Sequence, residues 1–239
     1  MNRVGRIFMS WWRWLIRLGF RLLYNELAWM YDVVSWLVSL GDWRAWQMAA
    51  LPYVRGKRVL ELGHGPGHVL LALVQQGYEV VGLDLSVYMG RMAWQRLQRA
   101  KRPFLLVRGR AQALPFADEM FDTVLATFPT PYIVEPETIT AVSRVLRPGG
   151  RLVIVPEGHF IHSGLIVRFL EWLYRITGQR AGAFAIDAEG DLGVWQQYVP
   201  IFQKAGFTLS KHVVKFTRTA VTVLVAQKRD LPSDVPLVQ

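Results

Sequence analysis

Residues 59–68 read VLELGHGPGH, with glycines at 63, 65 and 67 directly after an apolar run that carries one acid, Glu61. Glycine lacks a Cβ and tolerates positive φ, so a loop of this kind turns sharply at the end of a strand and lies flat against a ligand. A tight turn with no ligand would use the same residues, so the surroundings must decide. The spacing is GxGxG, which is neither the GxGxxG of dinucleotide sites nor the GxxxxGK[ST] of a phosphate loop, and no lysine follows to hold a triphosphate. A second acid, Asp84, ends the next apolar run about twenty residues after the first glycine, where a carboxylate can accept both hydroxyls of a ribose in the adjoining crevice. The implied ligand is adenosine-like and carries no phosphate.

Other residues with chemical potential lie further on. Glu157, His159 and His162 follow an apolar run at 151–155, and one of them can act as general base toward a phenol or an amine; the alternative is that they are solvated loop polars. Tyr132, in TFPTPYI, reads as the wall of a substrate pocket, a core aromatic or a catalytic hydroxyl. The chain has no cysteine, which removes disulfides, thiolate metal sites and cysteine nucleophiles together. Its five histidines show no metal-ligand spacing such as HExxH, so no metal site is expected.

The elements that must position these residues alternate from Arg58 onward. Strands are expected at 59–62, 78–84, 104–107, 121–126 and 151–155, and helices at 67–76, 87–100 and 137–146. That order implies a parallel sheet covered by helices on both faces. An apolar helix at 163–178, a Gly/Ala/Asp-rich loop at 179–193, a helix near 193–204 and a closing strand pair, 206–216 and 217–228, complete the pattern. At 239 residues, 52% of them apolar and 19% charged, the chain fits one α/β domain with an extension.

The extension is distinct in composition. Seven of the ten tryptophans precede residue 50, and residues 1–24 hold five arginines and no acid. Trp11, Leu15, Leu18 and Leu22 share one helical face, while Arg13, Arg17 and Arg21 share another. The arginines interrupt any signal-peptide core, and the longest clean apolar stretch is too short to span a bilayer, which takes about 20 residues. Two readings remain for this helix, an in-plane anchor on an anionic membrane and a lid on the domain, and one helix can do both. A net charge of +10 likewise implies an anionic neighbour, either a membrane surface or a nucleic acid.

The ordered stretches ELGHGPG, VVGLDLS, GRAQALPFADEMFDTVLATFP and RVLRPGGRLVIV resemble the class I S-adenosylmethionine-dependent methyltransferases over roughly residues 24–228. The resemblance implies a Rossmann-like, seven-stranded, mostly parallel sheet and S-adenosyl-L-methionine as cofactor. It would set Gly63, His64, Gly65 and Gly67 against the methionine part and Glu61 near its ammonium group. Asp84 would hold the ribose; Leu85 and Met89 would flank the adenine, Ala111 and Gln112 would lie at its edge, and Thr127 and Phe128 would top the fourth strand. His64 is either a cofactor contact or a side chain facing solvent. One departure stands out: Arg110 occupies the place where the family often has an acid for the exocyclic amine, so Gln112, backbone carbonyls or packing must serve instead.

The segment YDVVSWLVSLGDWRAW, 31–46, is similar to the lead-in of the UbiE-type quinone-biosynthesis C-methyltransferases, which implies that Tyr31 closes over the cofactor. Phospholipid N-methyltransferases use similar lids. Three functional readings follow. The first is methylation of a hydrophobic, membrane-resident small molecule, either a quinone precursor or an aminophospholipid, by a cytoplasmic protein held peripherally on an anionic membrane through residues 1–24. The second is methylation of RNA, suggested by Arg91, Arg96, Arg99, Lys101, Arg102, Arg108 and Arg110 but disfavoured because no RNA-binding module is recognisable. The third is a cofactor-binding protein without turnover. The expected organisation is a helical extension or lid over 1–50, a methyltransferase domain over 51–228 and a tail over 229–239.

Overall fold

Runs such as VLEL and RLVIV are apolar at nearly every position, so as strands they have no wet face and must be covered on both sides. In the computed structural model, which describes residues 30–161 and 191–229, they form the middle of one sheet. Two short helices, α1 (Tyr31–Val38) and α2 (Trp43–Met48), precede it. The chain then runs β1 (Arg58–Leu62), α3 (His68–Gln75), β2 (Glu79–Asp84), α4 (Val87–Gln98), β3 (Leu105–Arg108) and β4 (Phe121–Thr127). It continues with α5 (Pro136–Val145), β5 (Leu146–Val155), β6 (Gly158–Phe160), α6 (Val199–Lys204), β7 (Phe207–Lys215) and β8 (Thr219–Lys228).

The strand order is β3-β2-β1-β4-β5-β8-β6, with β7 on the other edge of β8. Strands β1 to β5 pair in parallel, and β8 pairs antiparallel with β5, β6 and β7. After β1 the chain builds outward through β2 and β3, then returns to the other side of β1 with β4, so the crevice of such a sheet lies at the carboxyl ends of β1 and β4. One apolar core packs α5 and α6 on one face, with Ile139, Val142 and Phe202 wholly buried. The other gathers Trp46, Leu70, Leu73 and Leu97 from α2, α3 and α4.

Among the described residues eight strands are present where seven are expected. The extra one, β6, continues β5 along β8 after a break: Ile154 faces Leu224 and Gly158 faces Val221, so one strand advances four residues while its partner advances three. That is a β-bulge, and proline at 156 removes a ladder donor just there.

Helix α2 is stitched to this end of the sheet. Trp46 is 1% exposed, and its Nε1 donates to Thr219 Oγ1 at 3.0 Å, whose hydroxyl donates to Asp42 Oδ2 at 2.7 Å. Gly158 is bare for the same reason, since a Cβ there would meet the Trp46 ring at 2.5 Å. Truncating a tryptophan so buried costs about 3–5 kcal/mol. The amphipathic helix expected within 1–24, the apolar helix expected at 163–178, His162 and the tail beyond 229 lie outside the described residues.

Candidate active site

The glycine loop leaves β1 with all three glycines at positive φ: Gly63 at 63°, Gly65 at 52° and Gly67 at 81°. Their roles differ. A Cβ on Gly67 would lie 2.8 Å from the Cβ of Ala93, so this glycine lets α4 approach the start of α3. A Cβ on Gly63 would meet Tyr132 Oη at 2.9 Å, so the hydroxyl of the β4 rim stands over the first glycine. Among the described residues nothing lies within 4 Å of that position on Gly65, which leaves its face open for a ligand.

Asp84 holds the loop from the next strand. Its Oδ2 accepts from Gly65 N at 2.9 Å and its Oδ1 from Ser86 N at 2.8 Å. Each carboxylate oxygen keeps a second lone pair, enough to receive a vicinal diol. Ser86 in turn caps α4, its hydroxyl accepting from Met89 N at 3.3 Å.

Glu61 is 1% exposed, and its Oε2 has no hydrogen-bond partner among the described residues. Burial, and then the charge of Asp84, push its pKa well above the usual carboxylate range, while the backbone N–H of Leu70 opposes the shift. A buried acceptor without a donor, beneath a loop with one open face, fits a ligand that brings a cationic N–H group.

His64 does not face solvent, which corrects one of the two readings above. It is 4% exposed and lies against Gly82 of β2, where a Cβ would meet its Cδ2 at 2.9 Å. Its Nδ1 donates to Gly65 O at 2.7 Å. Burial lowers its pKa, opposed by the charge of Asp84 and by the backbone hydrogen bonds, so the ring is neutral and braces the loop. Sequence reasoning missed Gly82 because its bareness matters only across a strand pair.

At the purine side of the expected site, Leu85 is 55% exposed, whereas Met89 is wholly buried and presents no surface at all. Ala111 is buried, and Gln112 donates through Nε2 to Glu135 Oε2 at 2.7 Å, which fixes the amide with its oxygen pointing away from Glu135. Arg110 is exposed. Thr127 ends β4 buried, and Phe128 follows at φ 50°, a costly conformation for a bulky residue. Phe128 stacks on Trp43 with centroids 4.2 Å apart and packs near Trp46. The aromatic wall of the rim is thus supplied by α2.

His159 lies on β6, on the far side of β4 from the glycine loop in the sheet order. Its Nε2 is 3.1 Å from Thr222 Oγ1 and 3.9 Å from Glu157 Oε1. Tyr132 is therefore brought to the glycine loop, while His159 belongs to a separate polar group.

Beside the expected Tyr31, which opens α1, stands a residue to which the sequence reading gave no role. Asp32 Oδ1 meets His68 Nε2 at 2.9 Å, and its Oδ2 accepts from Arg96 Nη2 at 3.1 Å. Arg96 also donates to Pro66 O inside the glycine loop. The hydrogen bond from His68, followed by the charges of His68 and Arg96, lowers the pKa of Asp32 despite its partial burial. This clasp ties α1 to the loop and to the start of α3. It also turns Arg96 away from the arginine face suggested for RNA; Arg108 stays exposed while its Nε donates to Leu85 O at 3.1 Å, and Arg91 lies over the Tyr88 ring.

Comparison with known proteins agrees with this geometry. Residues 60–154 match the family described as Methyltransferase domain. The chain is 33% identical over 158 residues to a demethylmenaquinone methyltransferase of Renibacterium salmoninarum, covering 64% of this chain and 65% of that protein, so just under two thirds of that relative is spanned. With the demethylmenaquinone methyltransferase of Lactiplantibacillus plantarum the identity is 30% over 204 residues, covering 77% of this chain and 86% of that one. Among solved structures, an S-adenosylmethionine-dependent methyltransferase of Thermotoga maritima, described as a possible histamine N-methyltransferase, superposes with a TM-score of 0.58 at 17% identity, covering 87% of this chain and 98% of the other. The loop that bares one glycine, the acid that holds it and the order of the strands thus have the same source: this chain belongs to the class I S-adenosylmethionine-dependent methyltransferases, in the group of the demethylmenaquinone methyltransferases.

Proposed function

We propose that the chain transfers the methyl group of S-adenosyl-L-methionine to a ring carbon of a demethylated, membrane-resident quinol. The observation that carries this reading is the alignment with demethylmenaquinone methyltransferases, which extends beyond the glycine loop in both directions. A related protein is named for C-methylation in ubiquinone and menaquinone biosynthesis. The cofactor supplies an electrophilic methyl on a sulfonium, so the leaving group is already activated and the protein chiefly aligns, orients and excludes water.

In this reading Glu61 balances the ammonium of the cofactor's methionine part, Gly63, Gly65 and Gly67 lie against its chain, and Asp84 receives the ribose hydroxyls. His64 braces the loop in its neutral form, and Tyr31, by the likeness to the UbiE-type enzymes, closes over the cofactor. Leu85 covers one face of the adenine, and Met89, being wholly buried, acts as support below. Ala111, Gln112 and Thr127 line the adenine edge and the top of β4. On the acceptor side, loss of a phenolic proton raises electron density on the adjacent ring carbon; that carbon forms the new C–C bond as the C–S bond breaks, and the ring proton then leaves to a base. We assign the wall nearest the transferring methyl to Tyr132 and the outer proton acceptor to His159, backed by Glu157. Peripheral attachment to an anionic membrane through residues 1–24 brings the protein to an acceptor that does not leave the bilayer.

The test is transfer of label from methyl-labelled S-adenosylmethionine into vesicles carrying demethylmenaquinol, with total phospholipid and total RNA as parallel acceptors. Label in the quinone fraction is expected. Label in the aminophospholipid or RNA fraction, with none in the quinone, would overturn the reading.

A further inference from the structure

Helix α1 is built inside out. Val33, Trp36 and Leu37 fall at i, i+3 and i+4 and are 55, 60 and 54% exposed, and Leu40, just past the end of the helix, is 36% exposed. Ser35 and Ser39, on the opposite face, are 5 and 0% exposed. The hydroxyl of Ser39 is used locally, donating to Ser35 O at 2.7 Å and accepting from Trp43 N at 2.9 Å, where it caps the next helix. A helix at the surface of a water-soluble domain carries the reverse pattern, and an apolar stripe presented outward marks a surface with a partner.

What lies beside the stripe identifies that partner. Asp32, at its margin, holds His68 and Arg96, and these two residues line an open pocket of about 440 Å³ together with Arg44 of α2 and Arg99 of α4. Arg44 and Arg99 make no ion pair among the described residues, so two guanidinium groups face the pocket with their charge uncompensated. Guanidinium groups of this kind match phosphate oxygens through paired N–H donors. An apolar stripe with a tryptophan, flanked by a cationic pocket, has the chemistry of the boundary between acyl chains and anionic headgroups.

We infer that α1 and the Arg44–Arg99 pocket form a docking surface for an anionic phospholipid bilayer, with Trp36 and Leu37 entering the acyl boundary and a headgroup phosphate seated between the arginines. This surface is formed by residues other than 1–24, and it rests on and deepens the reading of a membrane-resident acceptor. Asp32 gives it a mechanical link to the site, because the same carboxylate that borders the stripe holds the arginine that bonds the glycine loop at Pro66.

The chain has no cysteine, so a single one placed at Leu37 reports on that position alone. Leu37→Cys carrying an environment-sensitive fluorophore is mixed in the full chain with vesicles of phosphatidylglycerol and phosphatidylcholine in equal parts, and Gln203→Cys on α6 serves as control. A blue shift at 37 on addition of vesicles, with none at 203, is expected. A fluorophore at 37 that stays in water while the chain co-sediments overturns the docking surface and leaves membrane attachment by residues 1–24 standing. A fluorophore already shielded before vesicles are added overturns it as well, because the chain itself or a second copy then covers the stripe. Failure to co-sediment at all overturns both membrane statements, while methylation of quinol dispersed in detergent would still stand. The double variant Arg44→Glu/Arg99→Glu is expected to lose at least about tenfold of the preference for phosphatidylglycerol over pure phosphatidylcholine; an unchanged preference would remove the pocket from the proposal.

Discussion

The two sides of the crevice are built differently. On the β1–β2 side the backbone itself is the instrument: three glycines at positive φ, one carboxylate accepting two backbone N–H groups, and a buried acid waiting for a donor. On the β4 side the wall is made of side chains: Phe128 against Trp43, and Tyr132 over Gly63. A backbone site recognises one ligand with little tolerance, while a wall of aromatic side chains is re-shaped by single substitutions. The difference sets a side fixed by the backbone against a side that single side-chain changes can remodel.

If that contrast holds, the largest effect belongs to Asp84. Asp84→Ala removes the acceptor for Gly65 N and Ser86 N as well as the proposed ribose acceptor, each a charge-assisted bond worth about 1.5–3 kcal/mol. Affinity for S-adenosylmethionine by calorimetry should fall beyond detection; unchanged affinity would take the residue out of the site. Next comes the pair Gly65→Ala and Gly67→Ala. The second should unfold the protein readily, costing roughly 2–4 kcal/mol because the new methyl meets Ala93. The first should cost only about 1 kcal/mol of backbone strain but weaken cofactor binding strongly. Equal thermal shifts with unchanged affinity at Gly65 would place the ligand elsewhere.

Glu61→Gln should separate stability from binding. In the wild type without cofactor the folded-state pKa of Glu61 lies above the unfolded value, so ionisation penalises the folded state. That penalty is absent below the ordinary carboxylate pKa of 4.5, grows as pH rises, and is complete above the raised folded value. The glutamine variant should therefore melt higher than wild type by an amount that grows with pH, and bind the cofactor about tenfold more weakly for want of a charge. A melting difference that shrinks with pH would contradict the assigned environment. The smallest effect is expected at Tyr132→Phe, with cofactor affinity unchanged and methyl transfer reduced less than about tenfold. A loss of about a hundredfold or more would make the hydroxyl a proton-transferring group.

Much of the β1–β2 side is legible in the residues because its signals are local. Glycine spacing, the acid closing the second strand and the apolar runs all fall within some twenty-five residues of chain. What escaped depends on neighbours distant in sequence. His64 is buried only because Gly82 on the adjoining strand leaves room for it. Gln112 is held by Glu135, so the amide is fixed by a residue beyond β4. Arg96 sits among arginines that all read as one charged face, yet it turns inward to Pro66 and Asp32. The break between β5 and β6 is signalled by a single proline, too common a residue to reveal a bulge.

The contact between Trp46 and Thr219 joins residues 173 positions apart in the chain. Since β8 follows the glycine loop by about 150 residues and lies between β5 and β7, the seat for α2 does not exist until a segment far downstream of it has been made. The aromatic wall that α2 carries therefore comes into being later than the glycine loop. A growing chain shows its glycine loop early but cannot shape this wall until β8 has emerged.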